Sequence, residues 1–171
     1  PEFLEGELPG KVSDLAVDSS GRVYAAAPRE EAVLIAGGEG PLERINQAGI
    51  DALAFDRWGR RWSAGESGLF APGGEVFALP ESAEIVSLAP LSPSEVWVAD
   101  AKSRAVLRLQ VDQPVVRAQL PDRAQPVAVV AGAYSGAWVL DARNASLVQV
   151  GSDGKILKTV TLESMSEDPV D

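Results

Sequence analysis

One phrase recurs four times along this chain, and its spacing restricts the fold more than any other feature. Each copy consists of an apolar run, a turn and an aromatic residue, and the copies occupy residues 12–24, 50–62, 85–97 and 127–138. Aligned by eye, they share an alanine at Ala16, Ala54, Ala89 and Ala131, in steps of 38, 35 and 42 residues. The aromatic residue follows that alanine by eight positions in three copies and by seven in the last. Tandem units of about 40 residues are typical of repeat architectures, in which each unit packs against its neighbours.

Within each copy, the composition predicts short antiparallel strands. The apolar run forms a first strand, and a turn that contains Gly follows it at 18–21 and 56–59, where Asp at the first position can accept a backbone N–H two residues on. Second strands rich in β-branched and aromatic residues are predicted at 23–26, 61–64, 96–99 and 138–140. Third strands are predicted near 33–35, 69–70, 106–111 and 147–150, and fourth strands near 42–45, 75–79, 115–120 and 156–162. No segment has helical periodicity, so the sequence predicts an all-β β-propeller of four consecutive four-stranded antiparallel blades.

The repeats divide the chain into one domain of four blades with a segment at each end. The blades are predicted at about 10–45, 49–80, 84–121 and 125–163, followed by a polar tail at 164–171. Residues 3–8 resemble the outer-strand segments at 77–80 and 116–122, so they are interpreted as a spare outer strand. A closed four-blade ring cannot use a fifth outer strand. Three alternatives stay open: an incomplete arc of a larger ring, a strand donated elsewhere, or a loose tail at 1–9. Residues 1–3, Pro-Glu-Phe, are interpreted either as a remnant of cloning or as the start of a mature or excised segment.

The charge and hydropathy of the chain argue against two classes of partner. The formal net charge is −10, and a surface this acidic repels phosphate backbones and anionic lipid headgroups. Neither nucleic acid nor a membrane surface is therefore predicted as the main partner. No window approaches the roughly 18 uninterrupted apolar residues that a membrane span needs, so no transmembrane segment is predicted.

Two residue types are missing from the chain, and their absence limits its chemistry. Without Cys there is no disulfide or thiolate chemistry, and without His the chain lacks the commonest general base and transition-metal ligand. A Zn or Cu site is therefore not predicted, and no cofactor is expected, although oxygen-ligand metals such as Ca²⁺ or Mg²⁺ stay open. The absence of Cys leaves the compartment undetermined; the bacterial periplasm or cell exterior is the expectation.

Residues 96–109 resemble the NHL repeat. That family's blades carry the phrase Ala-Val-Asp-x-x-Gly-x-Val-Tyr-Val-Ala-Asp, then a short polar loop, a strand, and Asp-Gly before the last strand. Residues 16–24 match the first half of the pattern, and 138–150 with 152–156 match the second. The resemblance covers nearly the whole chain and implies a propeller fold. It leaves function open, since NHL-like blades serve for protein binding, ligand binding and occasionally catalysis.

Two enzyme groups related to that family can be compared with the chain residue by residue. Amidating lyases and virginiamycin lyases of propeller fold depend on histidines, and this chain has none. Regucalcin-like lactonases hold a divalent metal with Glu, Asn and Asp from their inner strands, but Asn46 and Asn144 are the only asparagines here and neither lies on a predicted first strand. The resemblance therefore carries over no catalytic residue.

Two acidic residues in the predicted first strands are candidates for a metal site. Near the channel, Asp14 and Asp51 could bind Ca²⁺ or act as an acid/base pair. The alternative is that both are solvated at the channel mouth. The two do not occupy equivalent positions in their repeats, so at most one of them points to a given face.

The most unusual local cluster is 57–62, Arg-Trp-Gly-Arg-Arg-Trp, which places three arginines and two tryptophans within six residues of an acidic chain. Trp62 aligns with the aromatic residues of the other repeats, so it is predicted to lie in the core. Trp58 occupies a turn position, and with Arg57, Arg60 and Arg61 it is a candidate binding anchor. The alternative is that Trp58 folds back onto the blade edge while the arginines pair with surface carboxylates.

The loops between second and third strands supply three further candidate binding residues, Arg29, Arg104 and Arg143. Binding residues are often found on loops that a rigid scaffold positions. The leading hypothesis is a non-catalytic interaction or scaffold module that binds a protein, peptide or glycan through its loop faces. The alternative is a divalent-metal-dependent hydrolase of regucalcin type, resembling a lactonase or esterase. An open arc would also need a second copy or further blades to cover its ends.

Overall fold

Four separate four-stranded antiparallel sheets make up the computed structural model, which describes residues 11–37, 41–66, 68–80 and 82–162. In every sheet the strands pair with their neighbours in chain order. The prediction of four consecutive four-stranded antiparallel blades is confirmed, and the sheets are called blades 1 to 4. The spare strand predicted at 3–8 and the tail at 164–171 lie outside the described residues.

The strands follow the sequence pattern within a few residues. Blade 1 contains β1 (Asp14–Val17), β2 (Val23–Ala27), β3 (Ala32–Ala36) and β4 (Glu43–Asn46). Blade 2 contains β5 (Ile50–Phe55), β6 (Arg61–Gly65), β7 (Gly68–Phe70) and β8 (Val76–Phe77). Blade 3 contains β9 (Ile85–Ser92), β10 (Glu95–Asp100), β11 (Ala105–Gln110) and β12 (Val116–Gln119). Blade 4 contains β13 (Pro126–Ala131), β14 (Ala137–Asp141), β15 (Ser146–Val150) and β16 (Ile156–Thr161).

Helical structure in the described residues is limited to two single turns, which the sequence did not predict. They are 3₁₀ turns at Pro28–Glu30, after β2, and at Ala133–Ser135, between β13 and β14. Each is three residues long, which is too short to leave a periodic signal in the sequence. No helix in the described residues is long and apolar enough to cross a membrane.

The strand register corrects the alignment of the fourth repeat by one residue. Ala16 pairs with Tyr24, Ala54 with Trp62 and Ala89 with Trp97, each aromatic lying eight positions after its partner. In blade 4 the residue opposite Trp138 is Val130, and Ala131 pairs instead with Ala137. The aromatic spacing is therefore eight in all four blades, and the small residue at this position is replaced by valine in the last. The apparent spacing of seven came from aligning alanine with alanine.

The first turns of blades 1 and 2 have the predicted aspartate chemistry. Asp18 Oδ1 accepts hydrogen bonds from the backbone N–H of Ser20 at 2.9 Å and of Arg22 at 3.0 Å. Chiefly through the Ser20 hydroxyl, which also donates to it, the pKa of the Asp18 carboxyl is held well below its usual range. Asp56 accepts in the same way from the backbone N–H of Trp58 and of Arg60. These bonds fix the turn that carries the Trp58 cluster.

Antiparallel pairing separates the loops of the molecule into two faces. The turn face carries the turns after the first strands, at 18–22, 56–60, 93–94 and 132–136, together with the turns from third to fourth strands. The connection face carries the loops from second to third strands, such as 28–31, 101–104 and 142–145, together with the connections between blades. Because each strand reverses the chain direction, successive loops of a blade alternate between the two faces.

Each blade packs on the next through the aromatic residue of its second strand. Tyr24 lies in a cluster with Ile50 and Leu53 of blade 2. Trp62 packs in the same way on blade 3, and Trp97 on blade 4, and both tryptophans are fully buried. In addition, Trp97 Nε1 donates a hydrogen bond to the Ser135 carbonyl oxygen, in the first turn of the following blade, at 3.0 Å.

The described blades form an open arc. The first strands contact one another in series, β1 with β5, β5 with β9 and β9 with β13, whereas β13 and β1 have no comparable packing in the described structure. Consequently Trp138 faces no described blade and is only half-buried, and Val130 opposite it is 58% exposed. At the other end, Leu15 of blade 1 is 62% exposed, whereas Leu53, its counterpart in blade 2, is 4% exposed.

Two buried carboxylates hold the loops of blades 3 and 4. Asp141, at the end of β14, accepts hydrogen bonds from the backbone N–H of Gln125 at 2.9 Å and from the side chain of Asn144 at 2.6 Å. Burial alone would raise the pKa of Asp141, but these hydrogen bonds outweigh it and the pKa is lowered. Asp100 has the corresponding place in blade 3 and accepts from the backbone N–H of Glu84 and Lys102. The last Asp of the NHL-like phrase therefore has a structural role in this chain.

Candidate functional site

Trp58 projects from the first turn of blade 2, between two arginine side chains. Its side chain is 47% exposed. The guanidinium carbon of Arg57 lies 4.1 Å from the centroid of the Trp58 ring, and that of Arg60 lies 5.0 Å from it. Both distances are in the range in which a guanidinium is attracted to the face of an aromatic ring. We call Trp58, Arg57 and Arg60 the Trp58 cluster.

The buried carboxylate of Asp56 holds this cluster in place through bonds to Arg60 and to the backbone of the turn. Arg60 Nη2 lies 2.8 Å from Asp56 Oδ2, and the Asp56 side chain is almost fully buried. Burial would raise the pKa of Asp56, but the hydrogen bonds from Arg60 and Trp58 outweigh this and lower it, so the carboxylate is the stable form. The positive charge of Arg60 is thereby balanced within the turn, while Arg57 has no ion pair in the described part of the chain.

Gly59 sets the position of the cluster relative to blade 1. Its φ is +75°, and a β-carbon added there would lie 2.9 Å from the Ser19 hydroxyl oxygen in the first turn of blade 1. A larger residue would be strained by this backbone conformation and would displace the Ser19 side chain. The turns of blades 1 and 2 are therefore in close contact, and the Trp58 cluster is held on a rigid support.

Arg61 points away from this surface, into the junction of blades 1 and 2. It begins β6 and pairs with Phe55, whose ring contacts Tyr24 of blade 1 at a centroid distance of 4.7 Å. Arg61 Nη2 donates to Gln47 Oε1 at 2.9 Å, and Gln47 Nε2 donates to Ser63 Oγ at 3.3 Å. Burial lowers the pKa of Arg61, partly opposed by Tyr24. The sequence pattern predicted Arg61 as a member of the exposed cluster, whereas the side chain is half-buried.

A cavity of about 300 Å³ lies where Arg61 and the Trp58 cluster meet. Its walls combine polar and apolar side chains, namely Gln47, Arg60, Arg61, Ser63, Phe70, Ala71 and Pro72. Arg60 both lines this cavity and lies beside the Trp58 ring, so the exposed aromatic ring and the cavity are adjacent. We call it the Arg61 cavity. Sequence reasoning missed Gln47 and Ser63, because nothing in their local pattern shows that a blade connection brings them together.

The remaining candidate arginines lie on the other face of the molecule. Arg29 belongs to the 3₁₀ turn after β2, and Arg104 and Arg143 belong to the loops from second to third strands of blades 3 and 4. Arg104 and Arg143 line one open cavity of about 380 Å³ together with Arg123, which the sequence did not single out. The predicted binding residues are therefore divided between two faces, with Arg29, Arg104 and Arg143 on the face opposite to Trp58.

Asp14 connects two blades. Its Oδ2 accepts a hydrogen bond from the backbone N–H of Leu53 in blade 2 at 2.7 Å. Ser87 accepts the equivalent bond from Val129 N–H, between blades 3 and 4, at 3.1 Å. Burial raises the pKa of Asp14, and the backbone hydrogen bonds only partly oppose this. Asp14 is therefore a structural link rather than a solvated channel residue.

Asp51 is displaced from the regular strand pairing. The register of β5 shifts between Ile50 and Ala52, which leaves Asp51 as the extra residue of a bulge. Burial raises its pKa, and the negative charge of Glu66 adds to the effect. Asp51, Glu66 and Glu84 line a cavity of about 870 Å³ on the connection face of blade 2. Across the described ranges, no group of three or more acidic side chains is arranged to hold a metal ion.

Similarity to solved structures identifies the architecture. A chain of virginiamycin B lyase from Staphylococcus aureus superposes with a TM-score of 0.72 at 15% identity, over 92% of this chain and 59% of the lyase. A chain of the nidogen/laminin complex superposes with a TM-score of 0.69 at 13% identity, over 90% of this chain and 64% of its own length. YCF48, solved with a bound D1 peptide, superposes with a TM-score of 0.63 at 20% identity, over 80% of this chain and 49% of the YCF48 chain. The chain is a β-propeller. The chain studied spans less than two thirds of the length of each of these similar structures.

No family model and no curated protein matches the sequence. At identities of 20% or less, the likeness to these propellers establishes the fold alone.

Proposed function

We propose that this propeller is a non-catalytic interaction module that binds a protein or peptide partner on its turn face, through the Trp58 cluster. The observation that carries the proposal is a tryptophan left 47% exposed between two arginines, on a turn fixed by a buried carboxylate. Trp and Arg are, together with Tyr, the residue types most enriched among interface residues with large energetic contributions. A rigid support reduces the conformational entropy that such side chains lose on binding.

The similar structures give independent support of a coarser kind. YCF48 was solved with a bound peptide, and the nidogen/laminin structure is a complex between proteins. Propellers of this architecture therefore include proteins that bind polypeptide partners. The lyase activity of the Staphylococcus aureus structure is not proposed for this chain, which contains no histidine. No specific observation favours a metal-dependent hydrolase, and a glycan partner stays a prediction from the sequence.

The proposal is tested by capturing partners from a lysate of the source organism with the immobilised protein, and by comparing two variants. Trp58→Ala should weaken the affinity for a captured partner by roughly tenfold or more, since truncation of an interface tryptophan typically costs about 2 kcal/mol or more. Its melting temperature should hardly change, because half of the ring is already in water.

Tyr134→Ala supplies the matched control. Tyr134 is also an aromatic residue on a first turn of the turn face, and it is 97% exposed, but it belongs to blade 4 and no arginine of the described residues lies over its ring. This variant should bind the partner as tightly as the parent protein. If Trp58→Ala and Tyr134→Ala retained the same affinity, the Trp58 cluster would not be the binding surface.

A further inference from the structure

Arg61 breaks the pattern of the blade junctions. Its counterparts at the start of the second strands in blades 3 and 4 are Val96 and Ala137, both of which are essentially inaccessible to solvent. Arg61 therefore places a guanidinium where the other junctions of the arc place an apolar side chain. Because charged side chains leave water at a large cost in free energy, a half-buried cation is stabilised by a counter-charge at its buried side.

The described structure supplies no counter-charge for Arg61. A guanidinium has five N–H donors, and the hydrogen bond found for Arg61 in the described residues goes to the neutral side chain of Gln47. Neither an ion pair nor a hydrogen bond to a carboxylate is formed by Arg61 within those residues. Yet the chain has 25 acidic against 15 basic residues, so carboxylates are plentiful elsewhere on the protein.

The Arg61 cavity has the size and charge to admit a small anion. Gln47 and Ser63 line it on the polar side, and Phe70 and Pro72 line the apolar side. Arg60, the other cation in the wall, is already paired with Asp56 at 2.8 Å. The cavity thus has one uncompensated positive charge, which matches a monoanion such as a carboxylate better than a dianionic phosphate.

We propose that the Arg61 cavity binds a carboxylate of the polypeptide partner, with Arg61 as its cation and Trp58 packing on the adjoining part of the ligand. The inference rests on the proposed function, because it assumes the same polypeptide partner. It adds that this partner presents a carboxylate to the cavity. The three arginines that line the cavity on the connection face do not support a similar proposal, because their side chains are exposed and water can solvate them.

The test uses small probes and needs no partner. Propionate mimics an acidic side chain, N-acetylglycine mimics a peptide carboxyl terminus, and propionamide is the neutral isostere of propionate. Each is titrated at constant ionic strength while the Arg61 Nε–H resonance is followed by NMR. Propionate or N-acetylglycine should shift this resonance with saturation in the millimolar range. The probe that binds more tightly shows whether the carboxylate comes from an acidic side chain or from a peptide carboxyl terminus. Propionamide should leave the resonance unchanged.

Two variants locate the effect. Arg61→Gln should lower the affinity for the binding carboxylate by roughly tenfold or more, because a charge-assisted hydrogen bond is lost. Arg117→Gln is the matched control: Arg117 Nη2 also donates to a glutamine side chain, that of Gln119 at 3.0 Å, but on an exposed strand outside the cavity. This control should bind the carboxylate as the parent does.

The outcomes separate this inference from the proposed function. The inference is wrong if the Arg61 resonance shifts equally with propionate and with propionamide, or if it shifts with neither carboxylate. Both results are obtained on the parent protein, so they count even if Arg61→Gln fails to fold. If inorganic phosphate binds more tightly than either carboxylate, the assignment of a carboxylate as the ligand of the cavity is wrong. If carboxylates bind at Arg61 but capture of the partner does not depend on Trp58, the cavity is a carboxylate site and the Trp58 cluster is not the partner-binding surface.

Discussion

The junction of blades 1 and 2 and that of blades 3 and 4 share a backbone arrangement but differ in what fills them. In the second junction, Ala137 and Val139 pack with Trp97 in an apolar cluster. In the first, the equivalent positions hold Arg61 and Ser63, connected through Gln47, and Tyr24 takes the place of the larger Trp97. The polar junction encloses a cavity next to an exposed tryptophan. The two junctions therefore differ in chemistry: the second is filled by apolar side chains, whereas the first adds a polar network beside the surface proposed for binding.

The largest predicted effect concerns the apolar junction. Trp97→Ala should lower the free energy of unfolding by about 3–5 kcal/mol, because the ring is fully buried and its N–H is bonded to the next blade. Trp138→Ala removes the same side chain from the uncovered face of blade 4 and should cost only about 1–2 kcal/mol. Urea unfolding followed by circular dichroism measures both. Equal losses would show that another surface covers Trp138 in solution.

A smaller effect is predicted for the polar junction. Arg61→Val introduces the side chain that blade 3 has at this position, and it should change the free energy of unfolding by no more than about 1 kcal/mol, since replacing a buried charge by an apolar residue is often neutral or stabilising. The same unfolding measurement checks this. A loss above about 2 kcal/mol would mean that Arg61 stabilises the junction, and the two junctions would then differ in chemistry but not in role.

The fold could be predicted from the sequence because its signals are local and occur four times. The Asp18 and Asp56 turns, the aromatic second strands and the strand order follow from patterns within one repeat. The error at Ala131 arose because an alanine signature was given more weight than the cross-strand partner of Trp138, which only the register reveals.

The candidate site could be predicted only in part. Trp58 was identified because an exposed tryptophan between arginines is unusual within a short segment. The orientation of Arg61 could not be predicted, since it depends on Gln47, which belongs to the connection between blades 1 and 2. The separation of Arg104 and Arg143 from the Trp58 cluster, in contrast, follows from the predicted antiparallel strand order, which places the two kinds of loop on opposite faces.

The two ends of the arc have a consequence for assembly. Within the described residues, blade 4 leaves Trp138 and Val130 exposed, and blade 1 leaves Leu15 and Val17 exposed, so these residues include both complementary halves of a blade junction. Since the halves differ, a second copy would add head to tail. Two copies would then either close into a ring of eight blades, within the usual range for propellers, or, if the rotation does not close, continue as a filament. The sequence leaves open whether a second copy or further blades cover these faces; for a second copy, we expect the closed homodimer. Sedimentation velocity at rising concentration should show a mass that doubles and then stays constant; steady growth would indicate a filament, and an unchanged monomer would mean that neither face recognises the other.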